Sequence, residues 1–220
     1  MNTAIVIPAR LASSRFPNKM LCDVGGKTLI RHVYDQCLTT GYDVYVATDS
    51  EEIASQVENA IIVPDAENGT ERIAFMVDQI PQYKAIINVQ GDMVRVPVED
   101  LPKLTKLLEK YHVATLKHPM KAEQQLDPNT VKIISTSHQA HWFCRAALPY
   151  GDWHYGIYGY HPALLKNYPT MNKHPEEDIE SLEQLRWLQN GYTIGVAEAG
   201  LAAEINTPED LENYLNSQRK

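Results

Sequence analysis

The sequence predicts an α/β protein: a mostly parallel, Rossmann-like sheet flanked by helices, in one domain over 1–220. Three observations predict it. Ile5, Val6 and Ile7 form an apolar, β-branched run within a few residues of the N-terminus, as in a strand buried on both faces. Strand and helix patterns then alternate, and that order favours a parallel sheet with right-handed crossovers. A second buried run over 85–89 ends in Gln90-Gly91-Asp92, so two central strand tips each carry polar side chains.

The first strand stops at Pro8. The loop that follows carries Arg10, Ser13, Ser14, Arg15, Asn18 and Lys19. On composition alone it reads either as a solvated basic turn or as a polyanion cradle at the carboxyl end of a strand, where open α/β sheets bind ligands. No GxGxxG follows the strand, which excludes a dinucleotide fingerprint. Gly26-Lys27-Thr28 ends like a P-loop, but Leu21 stands where that motif needs glycine.

The elements follow in order. A helix is predicted over 28–40, with Leu29, Val33, Cys37 and Leu38 toward the sheet and Gly41 at its end. A strand over 43–48 leads to a helix capped by Asp49 or Ser50 and running to about 59, then a strand over 60–63. Asn68 or Thr70 caps a helix to about 80, whose free amides suit an anion or a base carbonyl. Asp92, beside a glycine at a strand tip, suits a magnesium ligand or an ordinary turn aspartate. An amphipathic helix over 98–111 buries Leu101, Leu104, Leu107 and Leu108. Strands are expected over 113–117, 131–135 and 140–145. One helix carries Glu176, Glu177 and Asp178 in its first turn and Ile179, Leu182, Leu185 and Leu188 as its apolar stripe. On that stripe's geometry Glu183 and Gln184 face solvent. Strands over 192–196 and 203–206 follow, and Thr207-Pro208 opens the last helix.

Bulk properties exclude several classes. A net charge of −8 argues against general nucleic-acid binding. No apolar run reaches membrane-spanning length, and no charged-then-apolar leader precedes the first strand; a cytoplasmic protein is expected. Cys22, Cys37 and Cys144 are odd in number and widely spaced, as reduced thiols are. His138 and His141 lack a carboxylate companion and read as surface or packing residues.

The ordered blocks Ile5 to Lys19, KTLIRH from Lys27, VATD from Val46, GTER from Gly69, NVQGD from Asn88, GIYGY from Gly156, ESLEQLR from Glu180 and TPEDL from Thr207 resemble the CMP-Kdo synthetase family of sugar-acid cytidylyltransferases. The resemblance runs the length of the chain. It implies a nucleotide-diphospho-sugar transferase type of sheet, with 112–160 contributing a small β-rich acceptor and dimer subregion. It implies transfer of CMP from CTP to Kdo, a 3-deoxy-octulosonic acid, with Mg²⁺ as cofactor, in a homodimer serving surface-glycan synthesis. The nucleotide contacts it implies are Ala9, Arg10, Leu11, Ser13, Arg15, Lys19, Thr70, Arg72 and Gln90, with Arg10, Lys19 and Asp92 catalytic. Gln90, Arg145, His154, Tyr158, Glu183 and Gln184 match sugar-binding positions, and Asp92 and Asn206 match metal positions.

Three departures stand out. Met93-Val94 replaces the family's Glu-Pro, the segment between Arg145 and His154 is short, and Asn206 stands where the family has a second aspartate. An amide oxygen still coordinates but brings no charge. Glu204 lies two positions back and on a strand would share its face. Two other readings follow: an amino-substituted octulosonate or another nonulosonic acid as acceptor, or a weakly active CTP-binding homologue.

Overall fold

The computed structural model describes residues 1–13 and 16–218. The elements are β1 (Thr3–Ala9), α1 (Leu29–Leu38), β2 (Asp43–Thr48), α2 (Glu51–Ala54), β3 (Ala60–Ile62), α3 (Gly69–Met76) and β4 (Ala85–Asn88) in the first half. There follow α4 (Leu101–Leu107), β5 (Val113–Pro119), α5 (Ala122–Leu126), β6 (Lys132–Thr136), β7 (Gln139–Cys144), β8 (Asp152–Tyr160), α6 (Pro162–Asn167), α7 (Pro175–Glu180), α8 (Leu185–Gln189), β9 (Ile194–Glu198) and α9 (Pro208–Gln218).

Every residue of β1 is buried. Its alternation sends Ile5, Ile7 and Ala9 into one apolar cluster and Ala4 and Val6 into another, so the strand feeds a core on each face. Val6 sits between Tyr45 of β2 and Asn88 of β4, both paired in parallel. The expected α/β class and the parallel order β3-β2-β1-β4 are observed. Beyond β4 the sheet is mixed. β8 runs antiparallel to both β4 and β5, β5 is parallel to β9, and β7 and β6 complete the order β3-β2-β1-β4-β8-β5-β9-β7-β6. β6 also pairs with β8 at Lys132↔Trp153 and Ile133↔Asp152, so the pairings of β8, β5, β9, β7 and β6 form a closed ring. The strands of 112–160 thus belong to the same sheet as β1.

Strand β8 escapes the pattern reading. Its sequence, DWHYGIYGY, holds two glycines and several polar residues, yet it lies at the centre of the sheet. Gly159 explains part of this: a Cβ there would come within 3.1 Å of Leu104 Cβ on α4, so only glycine lets that helix lie so close.

Several boundaries differ from expectation. The helix expected to about 59 ends at Ala54, and Leu38, expected toward the sheet, is exposed. α4 is preceded by a 3₁₀ turn over Val98–Asp100 and ends at Leu107. The single helix expected through Leu188 is two, α7 and α8, broken where Ser181 takes a left-handed φ of 53°. Ile179 is consequently 78% exposed. No strand forms over 203–206; Ala203 makes one isolated bridge to Arg95. Among the described residues, no helix is long and apolar enough to cross a membrane.

Candidate active site

The site is assembled where β1 and β4 end side by side. Gly91 permits the approach: a Cβ there would meet Met20 Sδ at 3.0 Å and the Pro8 carbonyl oxygen at 3.2 Å. Asp92 then leaves the strand tip, and Lys19 Nζ donates to its Oδ2 at 2.7 Å. Met93 and Val94 are buried, and the chain after them is gripped from α1. Gln36 Nε2 donates to the Val94 carbonyl at 2.9 Å, and Gln36 Oε1 accepts from the Val96 N–H at 3.0 Å. The loop beyond Asp92 is thus fixed without a Glu-Pro pair.

A cavity of about 510 Å³ opens here, lined by Ala9, Arg10, Ser13, Lys19, Arg72 and Asp92 among others. Beside it lies a second cavity of about 420 Å³, lined by Arg145, His154, Tyr158, Glu183, Gln184 and Glu204 among others. Arg10, Gly69, Gln90, Asp92, Ser181 and Asn206 line both, so the two are compartments of one cleft. Arg10, Lys19 and Asp92 therefore share a space, as do all six residues that the sequence assigns to the sugar.

Two nucleotide assignments stand differently. Leu11 lines neither cavity and packs on the apolar cluster beneath β1. Thr70 is fully buried: its hydroxyl is 3.1 Å from the Tyr160 hydroxyl and its N–H donates to Glu183 Oε2 at 3.2 Å. Thr70 helps hold the wall and does not face the cleft, because the amide that might have met a ligand already meets a carboxylate. Arg15 lies outside the described residues. Arg72 does line the first cavity; its Nη2 pairs with Asp49 at 3.0 Å and Asp65 at 3.3 Å. Its Nη1 is buried with no hydrogen-bond partner among the described residues.

The second compartment is held by long-range bonds. Lys132 is buried on β6, and its Nζ donates to the Asp127 carbonyl at 2.5 Å and the Arg145 carbonyl at 3.1 Å. Arg145 Nε in turn donates to the Glu180 carbonyl at 3.0 Å. His154 Nε2 lies 3.0 Å from Thr115 Oγ1, whose single proton is spent on the Ile157 carbonyl at 2.8 Å. The hydroxyl oxygen therefore accepts from His154, which fixes the Nε2–H tautomer and leaves Nδ1 an acceptor. Burial, and then the nearby Arg145 charge, push the His154 ring down to about 3, so it is neutral.

Glu183 and Gln184 were expected on an exposed helix face. The break at Ser181 instead turns them inward: Gln184 is 2% exposed, with Nε2 unpartnered among the described residues, and burial raises the Glu183 carboxyl. That break is secured by Glu177, which accepts from Arg186 Nε at 2.8 Å and Nη2 at 2.6 Å while Arg186 lies over the Tyr168 ring. Ser181 itself, on the shared wall, lies inside the ESLEQLR block but carried no assigned role. Burial, then the Asp92 charge, push the Glu204 carboxyl up to about 7.

The arrangement can hold a polyanion against Arg10 and Lys19, place a hydroxylated acid beside it, and keep both near Asp92. Comparison with known proteins fits this geometry. The family model described as cytidylyltransferase matches residues 4–197. A 3-deoxy-manno-octulosonate cytidylyltransferase from Pseudoalteromonas atlantica is 37% identical, covering 98% of this chain and 97% of that protein. An 8-amino-3,8-dideoxy-manno-octulosonate cytidylyltransferase from Shewanella halifaxensis is 37% identical over 96% of each. A solved structure of CMP:2-keto-3-deoxy-manno-octonic acid synthetase complexed with CTP superposes with a TM-score of 0.92 at 33% identity, over 100% of this chain and 99% of that one. The chain belongs to the cytidylyltransferase family.

Proposed function

We propose that this protein transfers CMP from CTP to Kdo, forming CMP-Kdo and pyrophosphate. The observation that carries the reading is the two-compartment cleft, in which cations from the β1 loop meet a separate wall of Arg145, His154, Tyr158 and Gln184 across Gln90 and Asp92. The names of the relatives support the same substrate pair. The acceptor hydroxyl oxygen attacks the α-phosphorus, the bond to the bridging oxygen of pyrophosphate breaks, and the hydroxyl proton leaves to solvent or a nearby base. Arg10, Arg15 and Lys19 offset charge on the triphosphate and on the departing pyrophosphate. Arg145 holds the sugar carboxylate, and neutral His154 accepts a hydrogen bond from a sugar hydroxyl at Nδ1 without adding charge.

Asp92 and Asn206 offer oxygen donors, the type that Mg²⁺ takes. Among the described residues no group of three or more His, Cys, Asp or Glu could hold a metal ion; a site of this kind is completed by phosphate oxygens. Bound Mg²⁺ would neutralise triphosphate charge there. We further assign the protein to the cytoplasm, as a homodimer, in the synthesis of a Kdo-containing surface glycan.

The similarity to an amino-octulosonate enzyme favours a second reading, in which the acceptor carries an amine. Purified protein with CTP, Mg²⁺ and either acceptor, followed through pyrophosphatase-coupled phosphate release, decides. Turnover with Kdo at tenfold or more over the amino sugar supports the first reading; the reverse ratio supports the second. No release with either refutes both.

A further inference from the structure

The segment after β9 returns to the tip of β4 by one backbone bond. The Ile205 N–H donates to the Asp92 carbonyl oxygen at 2.8 Å, and Ile205 itself is buried. Its two neighbours, Glu204 and Asn206, are therefore carried to the cleft wall beside Asp92, and both line the acceptor compartment with it. Asn206 Nδ2 donates to Glu204 Oε2 at 3.4 Å, and the Asp210 carboxylate fixes the Asn206 N–H at 2.9 Å. The arc is thus rigid where its polar side chains meet the cleft.

The charges are unusual for a cleft that takes two anions. Asp92 has Lys19 at 2.7 Å. Among the described residues no lysine, arginine or histidine lies within ion-pair distance of Glu204, and the charges of Lys19 and Arg145 reach it only from farther off, more weakly than that of Asp92. Two carboxylates side by side repel each other and the triphosphate, unless a cation joins them. A divalent ion would relieve both at once. An ammonium group on a sugar would relieve only one. The position favours the ion, because Asp92 and Asn206, the partners of Glu204, line the nucleotide compartment as well.

We propose that Glu204 is a working member of the divalent-cation site, supplying the negative charge that the neutral Asn206 amide does not. The inference rests on the reading of Asp92 and Asn206 as magnesium positions. The donor set is then two carboxylates and an amide oxygen, all hard ligands suited to Mg²⁺ or Mn²⁺. Binding draws on Glu204 by direct coordination or through a bound water, and in either case depends on its charge.

The test is Mn²⁺ binding to the protein–CTP complex, without acceptor, read by electron paramagnetic resonance against CTP alone. Native protein is compared with Glu204→Gln and with Glu204→Gln/Asn206→Asp. We expect Glu204→Gln to raise the Mn²⁺ dissociation constant by about tenfold or more, with CTP affinity in chelator not weakened. The double variant should return to within about threefold of native, since it restores one charge at the same place. Unchanged Mn²⁺ binding in Glu204→Gln overturns the proposal, as does a double variant that stays as weak as the single one. In a parallel turnover assay with the amino sugar, a rise confined to the KM of that acceptor makes Glu204 an ammonium partner and likewise overturns it. If native protein adds nothing to the Mn²⁺ signal of CTP, the magnesium reading itself falls.

Discussion

Lys19 Nζ lies 2.7 Å from Asp92 Oδ2, joining the turn after the β1 loop to the tip of β4. The pair is nine-tenths buried on the lysine side and a quarter exposed on the aspartate side. It ties the β1 loop to the β4 tip, and on the proposed function it couples the cation assigned to phosphate to the carboxylate assigned to metal. Lys19→Met is expected to lower kcat/KM by about two decades, the usual loss when one donor to developing charge is removed. It leaves Asp92 without its partner, so unfolding in urea should cost on the order of 1–2 kcal/mol less than native. Adding Asp92→Asn should recover part of that stability and none of the activity. Equal stability in all three proteins would show that the pair is not formed in solution.

His154 sets an acid limit on the fold. Its ring stays neutral in the folded state down to about 3, while in the unfolded chain it takes a proton near its ordinary value of 6.5. The unfolded state binds more protons between those values, so stability falls as pH falls through that window. Native protein should lose up to about 1.4 kcal/mol per pH unit more than His154→Gln below pH 6.5. Glutamine keeps a donor for Thr115, so the two proteins should converge above pH 7. Denaturant midpoints at pH 7, 6 and 5 measure the difference.

Glu177 and Arg186 form a buried, two-pronged ion pair, with side chains 5% and 4% exposed. Glu177→Ala leaves the arginine charge buried and unpaired, at a cost of about 3–5 kcal/mol of stability. The pair also fixes the turn at Ser181, from which Glu183 and Gln184 reach the acceptor compartment. A milder change, Glu177→Gln, should raise the KM for the sugar more than it lowers kcat, with the KM for CTP nearly constant. Steady-state kinetics with each substrate varied in turn test this split.

Gly91→Ala should separate the β1 and β4 tips. The added methyl meets a backbone oxygen at 3.2 Å as well as the Met20 sulfur, and only the sulfur can swing away. We expect a melting temperature lowered by several degrees, from an overpacking cost of about 1–3 kcal/mol, and at least tenfold slower turnover. Met20→Ala in the same chain should restore little, because the carbonyl contact remains. Full rescue would place the strain at the sulfur alone.

Much of the framework was legible along the chain. Ile5, Val6 and Ile7 announce a strand buried on both faces because no polar residue interrupts them. Asn68, one of two expected caps, accepts from the Glu71 amide, and Thr28, expected as the first residue of its helix, caps it by accepting from the Arg31 amide. Strand β8 was not legible, because its two glycines weaken the strand pattern, and the contact that requires one of them comes from α4. Thr70 is a contact by resemblance alone; here a distant carboxylate takes the amide that its place at a helix N-terminus leaves free.

By itself, the sequence determined the elements from β1 to β4 and which end of the sheet carries the cations, since side-chain alternation, caps and strand-stopping prolines act within a few residues. Only the tertiary structure decided that Glu204 stands beside Asp92, that Ser181 turns Gln184 inward, and that Leu11 faces the core. Those outcomes depend on single backbone bonds and one buried ion pair between distant segments. No local pattern encodes where such segments meet, because their partners come together only when the whole chain closes around its core.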